Sequence, residues 1–326
     1  MKRIGWVTDL HLEFLSKAGR SAFIDDLVKG ELELLLVGGD TATASLLEEC
    51  FREMARRLPC PICFVLGNHD FYGGSLAEVQ KWAASVREWS ENLFWLPNSG
   101  IIELTPTTAL IGHDGWADGR LGNYATSQVM LNDFLRIKEL CGLDKEQRLV
   151  QMHALGDAAA RYAAEWLPRA LQSYQKVVFL THVPPFRESC WHDGNMSNNQ
   201  YLPFFASGAM GEVLRSVMRQ HADRDLLVLC GHTHGIGTTH ILPNLTVLTG
   251  GAEYGKPTLQ RLWHDGVDDE GMKGPRYGFW QDGACLCPVM DNEEGPPFVV
   301  NLDCPLHGHR KKQEPSVENM CHTLDS

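Results

Sequence analysis

Apolar and polar positions along the chain fall into two kinds of run. Short runs of Leu, Ile, Val and aromatic residues read as buried strands, and longer runs with apolar residues three or four apart read as helices packed against them. "RIGWVT", "LELLLVGGD" and "PICFVLGN" predict strands, while "SAFIDDLVKG", "ASLLEECFREMARRL" and "LAEVQKWAASVREWSEN" predict helices between and after them. The first third is therefore a series of βα units. "LFWLP", "GIIELT" and "TALIGHDGW" then follow closely, which predicts hairpin-connected strands rather than further crossovers. From Ala117 to Met152 the pattern is polar and weak, and an excursion over the surface is expected. A helix over about 154–175 leads into "KVVFLTHVPP", and another over about 210–221 leads into "DLLVLCGHTH". "TTHILPNLTVLTGG" alternates and predicts a hairpin turning at Pro243-Asn244. No internal repeat is visible.

From about residue 262 the pattern dissolves into Gly, Pro, Asp and Glu. The expected division is one domain over 1–261 and an irregular or partly disordered extension over 262–326, dispensable for chemistry. "CLC" and "HGH" in the extension match the spacing of no common zinc module.

With 326 residues, 44% of them hydrophobic, the chain has the material for one large α/β domain. Its formal net charge is -12, from 29 basic and 41 acidic residues, which argues against general binding to nucleic acid or anionic membranes. A phosphate-bearing substrate would then need local positive charge, such as bound metal. The 10 cysteines are scattered, several inside apolar runs, and fit a reducing compartment. "MKRIGWVTDLHLEF" lacks a signal-peptide pattern and no run is long enough to span a bilayer, so a cytoplasmic location is expected. Nothing in the pattern specifies an oligomeric state.

The chemistry lies at the ends of the apolar strands. Strand one ends in Asp9 and His11, strand two in Asp40, strand three in Asn68-His69-Asp70, a later strand in His182, and the last in His232 and His234. In an open α/β sheet the loops at the carboxyl ends of parallel strands converge, so these residues are expected to meet. Taken singly, Asp9 or Asp40 also reads as a helix N-cap, Asn68 as a turn residue, and His182 as a core histidine before the "VPP" turn. Unrelated caps and turns have no reason to recur at successive strand ends in this order. Two carboxylates, one amide and four imidazoles are too many donors for one tetrahedral ion and suit two ions sharing a bridging carboxylate. Mixed nitrogen and oxygen ligands without thiolate favour manganese, iron, zinc or cobalt.

In this order, "TDLH", "VGGD", "LGNHD", "THVPP" and "CGHTH" resemble the five blocks of the calcineurin-like metallophosphoesterase superfamily, over about residues 4–251. The resemblance implies a four-layer αββα sandwich of two mixed sheets. It also implies hydrolysis of phosphate esters by a metal-activated hydroxide. Asp9, His11 and His234 would hold one ion, Asn68, His182 and His232 the other, and Asp40 would bridge them. His69 would assist the leaving oxygen or the phosphoryl group, with Asp70 orienting its imidazole. Many relatives carry a second acid soon after the bridging aspartate, where "GGDTATAS" offers only hydroxyls. "GNHD", "HVPP" and "GHTH" resemble bacterial phosphodiesterase branches more than protein phosphatases, which leans the expectation toward diesters. Phosphomonoesterase or protein phosphatase activity is the alternative, and an inactive scaffold of this fold is disfavoured because no ligand is missing. Arg187 to Phe205 is expected as a rim over the metals, and His113, Asp114 and Arg120 are weaker candidates to face the crevice.

Overall fold

Strand and helix formation follows the apolar pattern closely through the first third. A computed structural model describes residues 3–192 and 194–264. In chain order, β1 (Arg3–Val7), α1 (Lys17–Lys29), β2 (Leu34–Gly38), α2 (Ala44–Arg57), β3 (Ile62–Val65), α3 (Leu76–Ser85) and β4 (Leu93–Trp95) come first. Next are β5 (Ile102–Thr105), β6 (Thr108–Gly112), α4 (Asp133–Arg136), α5 (Lys145–Ser173) and β7 (Lys176–Leu180). The remainder is β8 (Trp191–His192), β9 (Asn195–Met196), α6 (Gly208–Gln220), β10 (Asp225–Cys230), β11 (Gly237–Leu242), β12 (Leu245–Thr249) and β13 (Arg261–His264).

One sheet has the strand order β13-β1-β2-β3-β4 and the other β11-β12-β10-β7-β6-β5. Both are mixed. In the first, β13 is antiparallel to β1 and the rest are parallel; in the second, the β5–β6 and β11–β12 pairs are antiparallel and the others parallel. Alternation along each strand sends successive side chains to opposite faces. Ile4, Trp6, Leu36 and Val65 of the first sheet therefore meet Leu110, Val178, Leu180 and Leu229 of the second in one buried cluster. The opposite face of the first sheet packs Leu35, Val37 and Phe64 on α1 and α2, where Leu47, Phe51 and Met54 share one face of α2. The outer face of the second sheet packs Val177, Phe179 and Val228 on Ala163, Leu167, Met210 and Leu214 of α5 and α6. This is the expected αββα sandwich, and each such Leu or Phe contributes roughly 1.5–3 kcal/mol by leaving water.

Three local expectations are corrected. β4 is not part of a hairpin run; it pairs parallel with β3, so α3 is one more crossover. Only β5 and β6 form the hairpin in that region. The stretch over 117–152 is no surface excursion, since Tyr124, Leu131, Phe134, Ile137 and Leu140 are buried in the cluster on the outer face of the first sheet. α5 also begins earlier than the periodicity predicted. Asp144 accepts from Gln147 N at 2.8 Å while Gln147 Oε1 accepts from Asp144 N at 2.9 Å, a reciprocal cap that starts the helix.

The 261/262 boundary falls inside β13, whose residues pair with Arg3 to Trp6. Residues 265–326 lie outside the described residues. A chain cut after His264 is expected to stay folded and to keep its turnover within tenfold, measured on one aryl phosphate diester and one monoester. Folded, metal-loaded protein losing more than tenfold would mean that the removed segment reaches the site.

Candidate metal centre

All the donors named from the sequence come to the carboxyl ends of β1, β2, β3, β7 and β10. Hydrogen bonds between the loops draw them together: Asp9 N donates to Gly39 O at 3.0 Å, His11 N to Asp40 O at 2.9 Å and Gly231 N to His182 O at 2.9 Å. Six non-glycine residues among those described have positive φ. Five are candidate donors: Asp9 (52°), His11 (43°), Asp40 (50°), His232 (70°) and His234 (58°). That conformation is costly for any residue with a Cβ, and its concentration here marks a site whose geometry is enforced by the surrounding fold. Two glycines permit the close approach. A Cβ at Gly67 would fall on the Asp40 carboxylate, and one at Gly231 on the Asp9 carboxylate. Neither aspartate caps a helix, because the N-cap positions of α1 and α2 belong to Ser16 and Thr43.

The donors form two groups with one shared member. Asp9, His11, Asp40 and His234 present ligand atoms within 4.8 Å of one another, and so do Asp40, His182 and His232. Asp40 Oδ2 lies 3.8 Å from His11 Nε2, and its Oδ1 lies 3.4 Å from His182 Nε2. His11 Nε2 faces His234 Nε2 at 3.0 Å, and His234 Nε2 is 3.4 Å from Asp9 Oδ1. Asn68 joins the second group, its Oδ1 being 3.2 Å from His182 Nε2.

Surrounding groups decide which atom each residue offers. His182 Nδ1 sits 2.9 Å from Gly38 O and donates its proton there, while Nε2 faces Asp40 Oδ1. Burial pushes this imidazole down, but the Asp40 charge outweighs it and raises it to about 10, so a cation would take the place of the Nε2 proton. His232 is the reverse: Nε2 donates to Phe204 O at 3.0 Å, and its buried Nδ1 has no hydrogen-bond partner among the described residues. The Asn68 amide nitrogen donates to Asp133 Oδ1 at 2.9 Å and Tyr72 OH at 3.1 Å, which turns its oxygen toward His182. Tyr72 OH in turn donates to Asp133 Oδ1 at 2.7 Å.

Electrostatics suit cation binding. Burial pushes the His232 imidazole down to about 4, with the His182 charge acting in the same direction, and burial also lowers His234. Burial thus disfavours the protonated form of both. Burial pushes Asp9 up, but its hydrogen bond to His234 and the charges of His182 and His234 hold it at about 2. Burial likewise opposes ionisation of Asp40, and the charges of His182, His69 and His11 hold it well below the usual carboxylate range. Orphaned imidazole nitrogens beside ionised, buried carboxylates are the donor chemistry of a metal site.

His69 stands next to this set, its ring centroid 4.5 Å from that of His11 and 4.2 Å from that of Tyr72. Asp70, expected to orient that imidazole, has different partners. Its Oδ1 accepts from Thr41 N at 2.8 Å and Ala42 N at 3.1 Å, and its Oδ2 accepts from Gly67 N at 2.8 Å. Asp70 thus ties the loop after β2 to the loop after β3, which carry Asp40 and Asn68. The carboxylate near the His69 ring belongs to Glu13, whose Oε1 is 3.5 Å from His69 Nδ1 and 3.7 Å from His11 Nδ1. Burial pushes Glu13 up, and His11 and His69 outweigh that to hold it at about 2.

Glu13, Tyr72 and Asp133 do not stand out in the sequence. Only Glu13 carries a local signal, since it continues the i, i+2 spacing of Asp9 and His11. Of the other candidates, the stretch from Arg187 to Phe205 does reach the donors through Phe204 O and through the Phe205 ring, 5.0 Å from that of His232. Asp114 instead braces the core, accepting from Leu66 N and Trp95 Nε1, and Arg120 pairs with Asp118 and Asp157. A cavity of about 620 Å³ lies between the sheets at the amino ends of the strands, lined by Ile4, Leu104, Lys176, Leu227 and Arg261, with none of the donors.

A two-sheet sandwich carrying His and Asp donors at its strand ends is the arrangement of a metallophosphoesterase. The calcineurin-like phosphoesterase model matches residues 2–235, a span that contains every candidate donor, and the chain belongs to that family. It is a hydrolase acting on phosphoric ester bonds. In fold the chain is similar to phosphopantetheinyl hydrolase from Mycobacterium tuberculosis, with a TM-score of 0.52 at 14% identity, covering 77% of this chain and 89% of that one. A dimetal phosphatase from Danio rerio aligns with a TM-score of 0.48 at 14% identity, covering 78% of this chain and 89% of that one. No curated protein matches the chain. Among the described residues no helix is long and apolar enough to cross a membrane.

Proposed function

We propose that the chain hydrolyses phosphate esters at a binuclear metal centre in which Asp9, His11 and His234 hold one ion, Asn68, His182 and His232 hold the other, and Asp40 bridges them. The observation that carries this reading is the Asp40 carboxylate, which turns one oxygen to each donor group. Mixed nitrogen and oxygen donors suit manganese, iron, zinc or cobalt. Two such ions would supply Lewis acidity toward the phosphoryl oxygens and toward the attacking water. The net reaction forms a bond from water oxygen to phosphorus and breaks the ester P–O bond. His69 protonates or hydrogen-bonds the departing alcohol oxygen. Asp70 keeps the Asp40 and Asn68 loops in register. Phe14, 41% exposed, and Tyr254 pack with ring centroids 4.6 Å apart, and Tyr254 lies 4.6 Å from the His11 ring, so an apolar wall borders the centre.

The lean toward diesters rests on the likeness of the "GNHD", "HVPP" and "GHTH" blocks to phosphodiesterase branches. The test is a screen of phosphomonoesters, diesters and cyclic nucleotides with manganese, zinc and iron supplied separately, and a phosphopantetheinyl ester belongs in the panel. Hydrolysis of monoesters alone would overturn the lean; no hydrolysis of any ester by metal-loaded protein would overturn the reading and favour the inactive scaffold. A cytoplasmic setting is supported by the free thiols of Cys50, Cys60, Cys63, Cys141, Cys190 and Cys230.

Asp133 gives a sharper check on the ligand set. It holds the Asn68 amide nitrogen, so Asp133→Ala is expected to free that amide to rotate and to weaken one of the two ions roughly 10–100-fold. Competitive metal titration would read this as one weakened site beside one unchanged. An unaltered titration would show that Asn68 is not a ligand.

A further inference from the structure

Glu13 lies in the turn after β1, and its side chain is only 14% exposed. Both of its carboxylate oxygens are buried without a hydrogen-bond partner among the described residues, and so is His11 Nδ1. A buried carboxylate is not left in that state without donors close by. The donors beside it are two imidazole nitrogens on the same oxygen, His69 Nδ1 at 3.5 Å and His11 Nδ1 at 3.7 Å. His11 Nε2 meanwhile points into the candidate centre, 3.0 Å from His234 Nε2.

We propose that Glu13 is a positioning residue for both histidines, one carboxylate accepting Nδ1–H from His11 and from His69. The inference rests on the phosphoesterase reading above. A proton on Nδ1 facing Glu13 leaves His11 Nε2 as a metal ligand and turns His69 Nε2 to the ester. A ligand and the leaving-group residue then share one brace, and placing the first ion also places His69. Asp70, the acid that follows His69 in sequence, is committed to backbone N–H groups of two loops. "GGDTATAS" contributes no further acid after Asp40. The carboxylate for His69 comes instead from the turn after β1.

The test uses the full-length chain. In metal-free wild-type protein, 15N-edited NMR of the imidazoles should show His11 and His69 with the proton on Nδ1, and Glu13→Gln should convert both to tautomer mixtures. In metal-loaded protein Glu13→Gln is expected to need roughly 10–100-fold more metal to fill the site that contains His11, to bind the same number of ions at saturation, and to lower kcat more than KM. The loss should be greatest for esters with poor leaving groups, should be partly restored in Glu13→Asp, and should vanish in a His69→Asn background. Wild-type His11 and His69 with the proton on Nε2 would overturn the proposal. So would loss of an ion at saturating metal, which would make Glu13 a ligand, or additive effects of the two substitutions. A wild-type protein inactive on every ester would defeat the phosphoesterase reading, and the tautomer measurement would still decide the role of Glu13.

Discussion

Asp40→Ala is expected to lower turnover by roughly 10³-fold or more and to be the most damaging change at any candidate ligand, because in the proposed binuclear centre it would remove a bond to both ions at once. The geometry makes the effect compound. Asp40 Oδ1 also accepts from His69 N at 2.8 Å, so the same substitution strips a buried backbone donor of its partner and loosens the turn that carries Asn68 and His69. Asp40→Asn separates these contributions, since an amide oxygen keeps the backbone bond but lacks the charge for two cations. Elemental analysis should find close to two ions per wild-type chain and fewer in both variants, with activity in the wild type abolished by chelator and restored by metal. Full activity with a single bound ion would sink the binuclear model.

The second large effect is expected at His69. Asparagine there keeps a short polar side chain on the same turn but cannot transfer a proton, so turnover should fall by roughly 10²–10⁴-fold. Metal content should be unchanged, because the two donor groups sharing Asp40 do not include His69. The loss should grow with the pKa of the departing alcohol and shrink for an activated aryl leaving group, which departs without a proton. If His69→Asn protein instead lost an ion, His69 would belong among the ligands, and the cluster it forms with His11 and Glu13 would have to be reassigned.

Strand ends and the candidate donors they carry were legible in the sequence because the signals are local. An apolar run such as "LELLLVGGD" determines where a parallel strand stops, and the rule that such strands discharge at one crevice brings Asp9, His11, Asp40, Asn68, His69, His182, His232 and His234 together without coordinates. The hairpin at Pro243-Asn244 and the crossovers through α1 and α2 were legible for the same reason. Where a choice depended on distant partners, the pattern was insufficient. β4 is short and apolar enough for a hairpin or a crossover, and only its pairing with β3 decides between them. Up to residue 144 the stretch over 117–152 has a weak period because, apart from the short α4, it packs as an irregular segment, burying Tyr124, Phe134 and Leu140 without a repeating face.

The same division holds within the centre. Residue types and spacing determined which side chains are candidate donors. Tertiary structure decided which atom each one offers: Gly38 O takes the His182 Nδ1 proton, Phe204 O takes that of His232 Nε2, and Asp133 and Tyr72 turn the Asn68 oxygen inward. It also decided which acid serves which neighbour, sending Asp70 to the backbone of two loops and Glu13 to the histidines. The reason is one of range. A donor's identity and its place at a strand end are properties of a few adjacent residues, whereas an imidazole tautomer or a carboxylate's partner is set across space by groups that the chain brings together only once both sheets have packed.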